Sequence, residues 1–295
     1  MIRLLPLILF LTLLPLHGEN LLLQTELFAA SGKGPADRSV NQLLEEKETQ
    51  LLFSSRMLCA PGADSSCFLL NYFGSRQSGF TVKLSPHNQA PKRKNRKIVS
   101  ELQWNFASEG PFQASGTEGF YEGTVASNTR FLLPGIFSPL GITRATSAEI
   151  LYLPAITYHP QNVKTEVPFL RGAKWKLTLK ITREGSPDET LTCVPVYHRG
   201  RFPVQTEPDV FQCRMYQHGS LTVLNAIHCY ELGKRSDGSA VTQQVSLTLC
   251  LKVPDDQKEL LIADLTSFCG AGKTAFGKLP GAGGTKLRYQ FWLSR

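Results

Sequence analysis

The stretch SFCGAGKT, residues 267–274, contains the residue types of a phosphate-binding loop. In such loops, backbone N–H groups around the glycines hold phosphates, the lysine reaches the outer phosphates, and the final hydroxyl binds magnesium. Gly272, Lys273 and Thr274 match the end of that motif, but Ser267 stands where its first glycine belongs. The residues that follow, AFGKLPGAGG, contain the glycines and proline that break the helix the motif requires. The stretch therefore predicts a flexible glycine-rich loop without a nucleotide site.

One candidate pair for nucleophilic catalysis occurs in NAIHCYE, residues 225–231, where His228 precedes Cys229. A catalytic cysteine and histidine must meet in space, and adjacency along the chain does not provide this. Because the chain has seven cysteines, we expect Cys229 to be half of a disulfide. The sequence contains neither a GxSxG nucleophile elbow nor an HExxH zinc motif. We therefore expect no catalytic residue, no metal and no cofactor, and an exported hydrolase is the third hypothesis for function.

The most basic stretch is PKRKNRK, residues 91–97, in which five of seven residues are cationic: Lys92, Arg93, Lys94, Arg96 and Lys97. The segment from residue 85 to 97 has no apolar period and two prolines, so it predicts a loop. Three uses stay open. The loop could bind an acidic polymer such as a sulfated glycan by charge. It could be cut at a loose Arg-x-x-Arg pattern, or it could only keep nearby strand edges soluble. The run contains no aromatic residue, which disfavours nucleic acid as a partner.

Seven cysteines suggest a disulfide framework if the chain is exported. Five of them lie from Cys193 onward, which suggests two regions of different construction. The sequence does not fix the connectivity. Cys59–Cys67 and Cys193–Cys213 are the expected bridges, since each pair would close a local loop. The disulfide candidates are Cys59, Cys67, Cys193, Cys213, Cys229 and Cys250, and the odd total leaves one thiol free or bonded to another chain. Without CxxC or regular Cys/His spacing, a structural zinc site is not expected.

Four runs alternate apolar and polar residues, namely 98–106, 174–182, 245–253 and 286–294. A period of two predicts a strand with one buried face and one wet face, as in antiparallel sheets. Trp104 and Trp175 lie on apolar faces and are expected in the core. Trp292 lies on the opposite face of the last run, where it could pack a second layer, contact a partner or bind a sugar. The pattern predicts a mainly β fold, an antiparallel immunoglobulin-like β-sandwich.

One short N-terminal helix is predicted over residues 39–53, SVNQLLEEKETQLLF. Leu43, Leu44, Leu51 and Leu52 recur at helical spacing, and the helix start resembles a capping box. A proline-rich stretch, residues 153–168, suggests a boundary between two domains. We predict an N-terminal β-rich domain over 19–155, which could bind a partner, and a cysteine-richer sandwich over 165–295.

The first residues, MIRLLPLILFLTLLPLHG, have the features of a secretory signal over 1–18. Arg3 supplies the positive end, and the apolar run that follows is shorter than the roughly 20 residues that cross a bilayer. A content of 42% hydrophobic and 19% charged residues is typical of a globular chain. We therefore expect an exported protein, secreted, periplasmic or at the cell surface, without a membrane anchor.

The end of the chain places Gly281, Gly283 and Gly284 before alternating apolar residues, Leu287, Tyr289, Phe291 and Leu293. In this the C-terminal part resembles subunits of chaperone–usher pili, although Ser294 stands where that family has a penultimate tyrosine. The resemblance implies an incomplete immunoglobulin-like sandwich that a neighbouring subunit completes with a donated strand. It also implies a disulfide such as Cys193–Cys213 and a non-catalytic role. A subunit other than the tip adhesin would need an N-terminal donor strand, and the alternating residues 21–29 are compatible with that role.

The sequence thus predicts an exported, non-catalytic binding protein, in the first place an adhesin or pilus subunit. Its partners would be a protein or glycan receptor and other subunits that add a strand. The alternative is a stand-alone secreted decoy or immunomodulatory protein that binds a host factor.

Overall fold

The computed structural model describes residues 20–31, 40–47, 49–71, 77–85, 97–108, 115–133, 150–160, 175–195, 206–219, 221–234, 236–253, 258–274 and 277–295. The predicted signal segment lies outside these residues. So do Lys92, Arg93, Lys94 and Arg96 of the basic run. Fifteen strands and one short helix make up the described chain.

The elements follow one another as β1 (Leu21–Ser31), α1 (Val40–Glu45), β2 (Gln50–Cys59), β3 (Asp64–Asn71), β4 (Gln77–Leu84), β5 (Lys97–Ser108), β6 (Ser115–Ala126), β7 (Phe131–Leu132), β8 (Ile150–Pro160), β9 (Lys176–Arg183), β10 (Glu189–Cys193), β11 (Phe211–His218), β12 (Leu221–Lys234), β13 (Ala240–Leu251), β14 (Glu259–Thr274) and β15 (Gly277–Ser294).

The strands form two antiparallel sheets. The eight-stranded sheet has the order β10-β9-β15-β14-β2-β1-β8-β7, and the seven-stranded sheet has the order β11-β12-β13-β3-β4-β5-β6. The predictions of a mainly β fold and of antiparallel pairing are confirmed. The immunoglobulin-like topology stays a prediction.

Alternation of side chains explains why these segments form strands. In β9, Leu177, Leu179 and Ile181 are buried, while the residues between them face outward. The predicted runs 98–106 and 286–294 lie within β5 and β15, and the runs 174–182 and 245–253 overlap β9 and β13, which begin at Lys176 and end at Leu251. One apolar face per strand allows the two sheets to bury a common core between them. That core contains Trp104 and Trp175, as expected.

The predicted helix over 39–53 is wrong in its second half. The helix covers only Val40–Glu45, and residues 50–53 begin β2. Leu52 and Phe53 point into the core from a strand that pairs with β1 on one side and β14 on the other. Hydrogen bonds from both neighbours therefore outweigh the local helical spacing of the leucines.

Both sheets mix strands from the two halves of the chain. β2 pairs with β14, and β3 pairs with β13, although the predicted domain boundary lies between the members of each pair. A single hydrophobic cluster includes core residues from both sides of that boundary. The division into 19–155 and 165–295 stays a prediction.

The last strand lies in the interior of its sheet. β15 is hydrogen-bonded to β14 along one edge and to β9 along the other. The alternating N-terminal segment, which the pilus resemblance casts as a donor strand, is β1 and lies between β2 and β8 of its own sheet.

Candidate binding face

The two stretches that resembled catalytic or nucleotide motifs lie within strands. Residues 267–274 belong to β14 and pair with β15, so the predicted glycine-rich loop is instead part of a long hairpin. His228 and Cys229 are adjacent in β12, where neighbouring side chains point to opposite faces of the sheet. Both are buried, and burial raises the pKa of the Cys229 thiol.

One of the two expected disulfides is formed. Cys193 in β10 is bonded to Cys213 in β11, with their α-carbons 6.2 Å apart. β10 ends the eight-stranded sheet and β11 ends the seven-stranded sheet. The bridge therefore joins the two sheets at one edge of the sandwich.

The expected bridge between Cys59 and Cys67 is wrong. Both thiols are free and fully buried, and the other two disulfide candidates, Cys229 and Cys250, are also free and buried. Between Cys59 and Cys67 the chain crosses from one sheet to the other, so each residue packs within a different sheet. Cys250 donates its S–H to the Asp64 carbonyl at 2.9 Å. Burial raises the pKa of Cys59 to about 12 and that of Cys250 to about 11, so both thiols stay protonated.

Of the basic run, the structure describes Lys97 alone. It is the first residue of β5, its side chain is exposed, and it pairs with Ala126 at the end of β6. The turn that follows contacts the other sheet, because the Asn128 N–H donates to the Tyr158 carbonyl in β8 at 2.7 Å. Lys97 therefore lies near the β8 end of the eight-stranded sheet.

A row of polar residues crosses the outer face of the eight-stranded sheet. The strand registers place one residue per strand side by side: Thr190, Lys180, Gln290, Asp264, Arg56, Gln24 and Thr157. This row is termed the polar rung. Strands lie about 4.8 Å apart, so the polar rung is roughly 29 Å long. Arg56 and Thr190 are exposed, and only Thr157, at the β8 end, is buried.

Asp264 organises the middle of the polar rung. Arg288 in β15 donates from Nε to Asp264 Oδ1 at 2.8 Å, and its terminal nitrogen donates to Oδ2. Gln290 also donates to Oδ2, at 3.4 Å. The two parallel bonds from Arg288 fix both planar groups, since a guanidinium matches a carboxylate in geometry. The Asp264 carboxylate in turn raises the pKa of Arg288.

The same face carries three exposed cations that form no ion pair among the described residues. Arg56, Lys176 and Lys286 are exposed, and within the described part of the chain none of them forms an ion pair. Lys180, in contrast, is paired with Asp188 at 2.7 Å. Arg56, Lys176 and Lys286 therefore present positive charge to solvent on this face.

Trp292 lies beside the polar rung. It is half-buried on the outer face of β15, two residues from Gln290 and opposite Thr178 of β9. The side chain is thus partly accessible, and it lies next to hydroxyl and amide side chains. An indole offers a large apolar surface together with one N–H donor.

An ion pair between Arg130 and Glu26 lies at the β8 end of the face. Arg130 donates from Nε to Glu26 at 3.0 Å and from a terminal nitrogen at 3.4 Å, and it stacks over Phe28 at 5.4 Å. Nearby, His159 Nδ1 and Asn128 Oδ1 are 3.2 Å apart. Burial and the charge of Arg56 lower the pKa of His159. The Glu26 side chain is only 8% exposed, so this pair is part of the packing.

The opposite outer face has a different character. On β4, β5 and β6 of the seven-stranded sheet, Lys83 bridges to Glu101 at 3.6 Å, and Glu122 lies directly across from Glu101. Val99 and Phe120 are exposed on either side of this row of charges. The described charges on these three strands are therefore of both signs.

Sequence reasoning found Trp292 but missed its neighbours. The alternation in residues 286–294 already placed Trp292 on the outer side of its strand. Arg56 and Asp264, however, come from segments far apart in the chain, and only the register between β2 and β14 brings them together.

Comparisons with protein families, with curated proteins and with solved structures found no match to this chain. In the described residues, no helix has the length and apolarity needed to cross a bilayer. No three His, Cys, Asp or Glu side chains in that part of the chain are grouped so that they could hold a metal ion.

Proposed function

We propose that this chain is an exported, non-catalytic binding protein of the adhesin kind, and that it holds an acidic polysaccharide on the outer face of its eight-stranded sheet. The observation that supports this is the set of exposed cations without an ion-pair partner in the described residues, Arg56, Lys176 and Lys286, around the polar rung and Trp292. Positive charge on an exposed face attracts and concentrates anionic ligands.

The types of side chain favour a sugar polymer over a compact anion. Amide, carboxylate and guanidinium groups in the polar rung are planar donors and acceptors that match pairs of hydroxyl groups. The Trp292 ring would pack against the apolar face of a sugar ring, while the lysines would meet its carboxylate or sulfate groups. An extended row of such groups suits an extended ligand, because each strand contributes one contact.

The test is binding to an immobilised sulfated polysaccharide such as heparin, with elution by salt. In the triple variant Arg56→Ala, Lys176→Ala, Lys286→Ala, we expect elution at clearly lower salt, since fewer charges engage the polymer. The control is Lys83→Ala, which removes one exposed cation from the other outer face. A loss per removed charge as large as that in the triple variant would indicate a general charge effect and would contradict the proposed face.

A Trp292 variant distinguishes binding through contact with sugar rings from attraction by charge alone. We expect Trp292→Ala to weaken binding to the polysaccharide while leaving the affinity for a sugar-free polyanion such as polyphosphate unchanged. Equal weakening for both polymers, or for neither, would contradict the stacking role. Tight binding to an acidic protein with no affinity for the polysaccharide would instead favour the decoy hypothesis.

The basic run would add to this binding. Its contribution to retention on the polysaccharide is measured independently by a variant with five residues changed to alanine: Lys92, Arg93, Lys94, Arg96 and Lys97. If this variant alone loses retention, the basic run is the polyanion site and the sheet face is not.

Assembly with other subunits by strand addition is a second proposal. β15 is paired along both edges, so a donated strand would add beside β10, whose residues are largely exposed. Size measurements on the purified chain, with and without peptides covering residues 20–31, test this proposal. A chain that stays monomeric in both cases would contradict it.

A further inference from the structure

His228 lies fully buried between the two sheets, at 0% exposure. Within the described structure, neither of its ring nitrogens has a hydrogen-bond partner. Three aromatic rings surround it, with centroids at 6.1 Å for Phe211, 6.2 Å for Tyr230 and 6.3 Å for Tyr289. This group, termed the aromatic joint, is where β11 and β12 of one sheet meet β15 of the other.

The aromatic joint suits a neutral imidazole and does not suit an imidazolium. A neutral ring has one donor and one acceptor, whereas the protonated ring has two donors and a full charge. Burying that charge without a partner is strongly unfavourable. Accordingly, burial lowers the pKa of His228 to about 4.

The titratable groups that face His228 would do little to stabilise the charge of a protonated ring. From its own strand comes Tyr230, whose hydroxyl donates to Glu189 of β10 at 3.1 Å. From β15 comes the hydroxyl of Tyr289, from β11 the uncharged ring of Phe211, and from β13 the side chain of Val245. The charges of Glu189 and of Arg183 in β9 act on Tyr230 and lie beyond it.

We propose that His228 is an acid-sensitive latch, whose protonation opens the aromatic joint between β15 and the β11–β12 pair. The Cys193–Cys213 disulfide lies two residues from Phe211 and joins the same edges of the two sheets. The bridge keeps β10 and β11 tethered when the joint opens. The opening is therefore local and reversible.

The direction of the pH effect follows from the two states of the histidine. Its pKa is about 4 when the joint is closed and about 6.5 when the ring is exposed to water. The closed joint is thus fully favoured above about pH 6.5 and loses stability as the pH falls towards 4. Between pH 7 and pH 5, this group alone lowers the equilibrium constant for closure about 20-fold.

The latch is tested by hydrogen exchange of the full chain at pH 7 and pH 5, measured by mass spectrometry. The rates are corrected for the pH dependence of intrinsic amide exchange. We expect peptides from β11, β12 and β15 to lose protection at pH 5, while peptides from β4, β5 and β6 keep theirs. His228→Phe fills the same space without a titratable group and should abolish the pH effect. The control variants His218→Gln and His159→Gln should retain it.

Two outcomes would overturn the proposal. One is a His228→Phe variant that loses protection at pH 5 as the wild type does, and the other is a loss of protection in β4, β5 and β6 as large as that in β11, β12 and β15. If His228→Phe does not fold, NMR titration of the imidazole in the wild-type chain decides. Titration near pH 4 supports the latch, and titration near pH 6.5 excludes it.

Discussion

Gly119 in β6 lies directly opposite Trp104 in β5, and the indole ring occupies the space that a side chain at position 119 would need. A β-carbon at position 119 would lie 2.3 Å from Cζ2 of Trp104, which is far inside van der Waals contact. Trp104 is 1% exposed and is one of the largest fully buried side chains. The packing of this part of the sandwich therefore depends on a glycine beside a tryptophan.

We expect Gly119→Ala to destabilise the protein by about 1–3 kcal/mol, because the core must shift to admit one methyl group. The urea midpoint measures the loss. In a double-mutant cycle, Trp104→Leu should absorb part of the cost of Gly119→Ala, since the smaller side chain frees the space. Additive effects of the two substitutions would contradict the proposed contact.

Alternation predicted the strands well because burial of one face is a local property of each segment. Residues 286–294 show this, since every second side chain is buried in β15 as the pattern indicates. Residues 50–53 show the limit. Their leucines fit a helix as well as a strand, and the choice is made by β1 and β14, which the local sequence does not reveal.

The candidate site was less predictable than the fold. The polar rung consists of residues from seven strands, and their contact depends on registers between segments up to some two hundred residues apart. The disulfides show the same contrast. Spacing along the chain suggested both expected bridges, but whether two nearby cysteines meet depends on the sheet to which each strand belongs.

Removal of the Cys193–Cys213 bridge should destabilise the protein by about 3 kcal/mol, the magnitude expected for a loop of 20 residues. The bridge restricts the conformations of the unfolded chain, and in the folded chain it holds the edges of the two sheets together. Urea unfolding of the Cys193→Ala, Cys213→Ala double variant measures the loss, and reduction of the wild type should reproduce it. A double variant as stable as the oxidised wild type would contradict this role.

The buried thiols should be protected from alkylation by the fold and not by disulfide bonds. We expect iodoacetamide at pH 8 to leave Cys59 and Cys67 unlabelled in the native chain, because both are fully buried and burial raises their pKa values. After unfolding without a reductant, Cys59, Cys67, Cys229 and Cys250 should be labelled, while Cys193 and Cys213 stay unlabelled. Peptide mass spectrometry distinguishes these cases, and a Cys59 that needs reductant before labelling would show that it is bonded.

Loss of Arg130 and loss of Glu26 should destabilise the protein to different extents. Glu26 is 8% exposed and Arg130 is 46% exposed, so removal of the arginine leaves a buried carboxylate without its partner. We expect Arg130→Ala to cost about 1–3 kcal/mol in the free energy of unfolding. Glu26→Gln should cost less, because the arginine that remains can be hydrated and keeps its stacking over Phe28.

The exposed pair Lys83–Glu101 is the matched control for this asymmetry. Both of its side chains are about half exposed, at 54% and 44%, so Lys83→Ala should change the stability by less than about 1 kcal/mol. Thermal or urea unfolding of the three variants gives the comparison. If Arg130→Ala costs no more than Lys83→Ala, then Glu26 is hydrated in solution, and the β8 end of the binding face is open to water and to ligand.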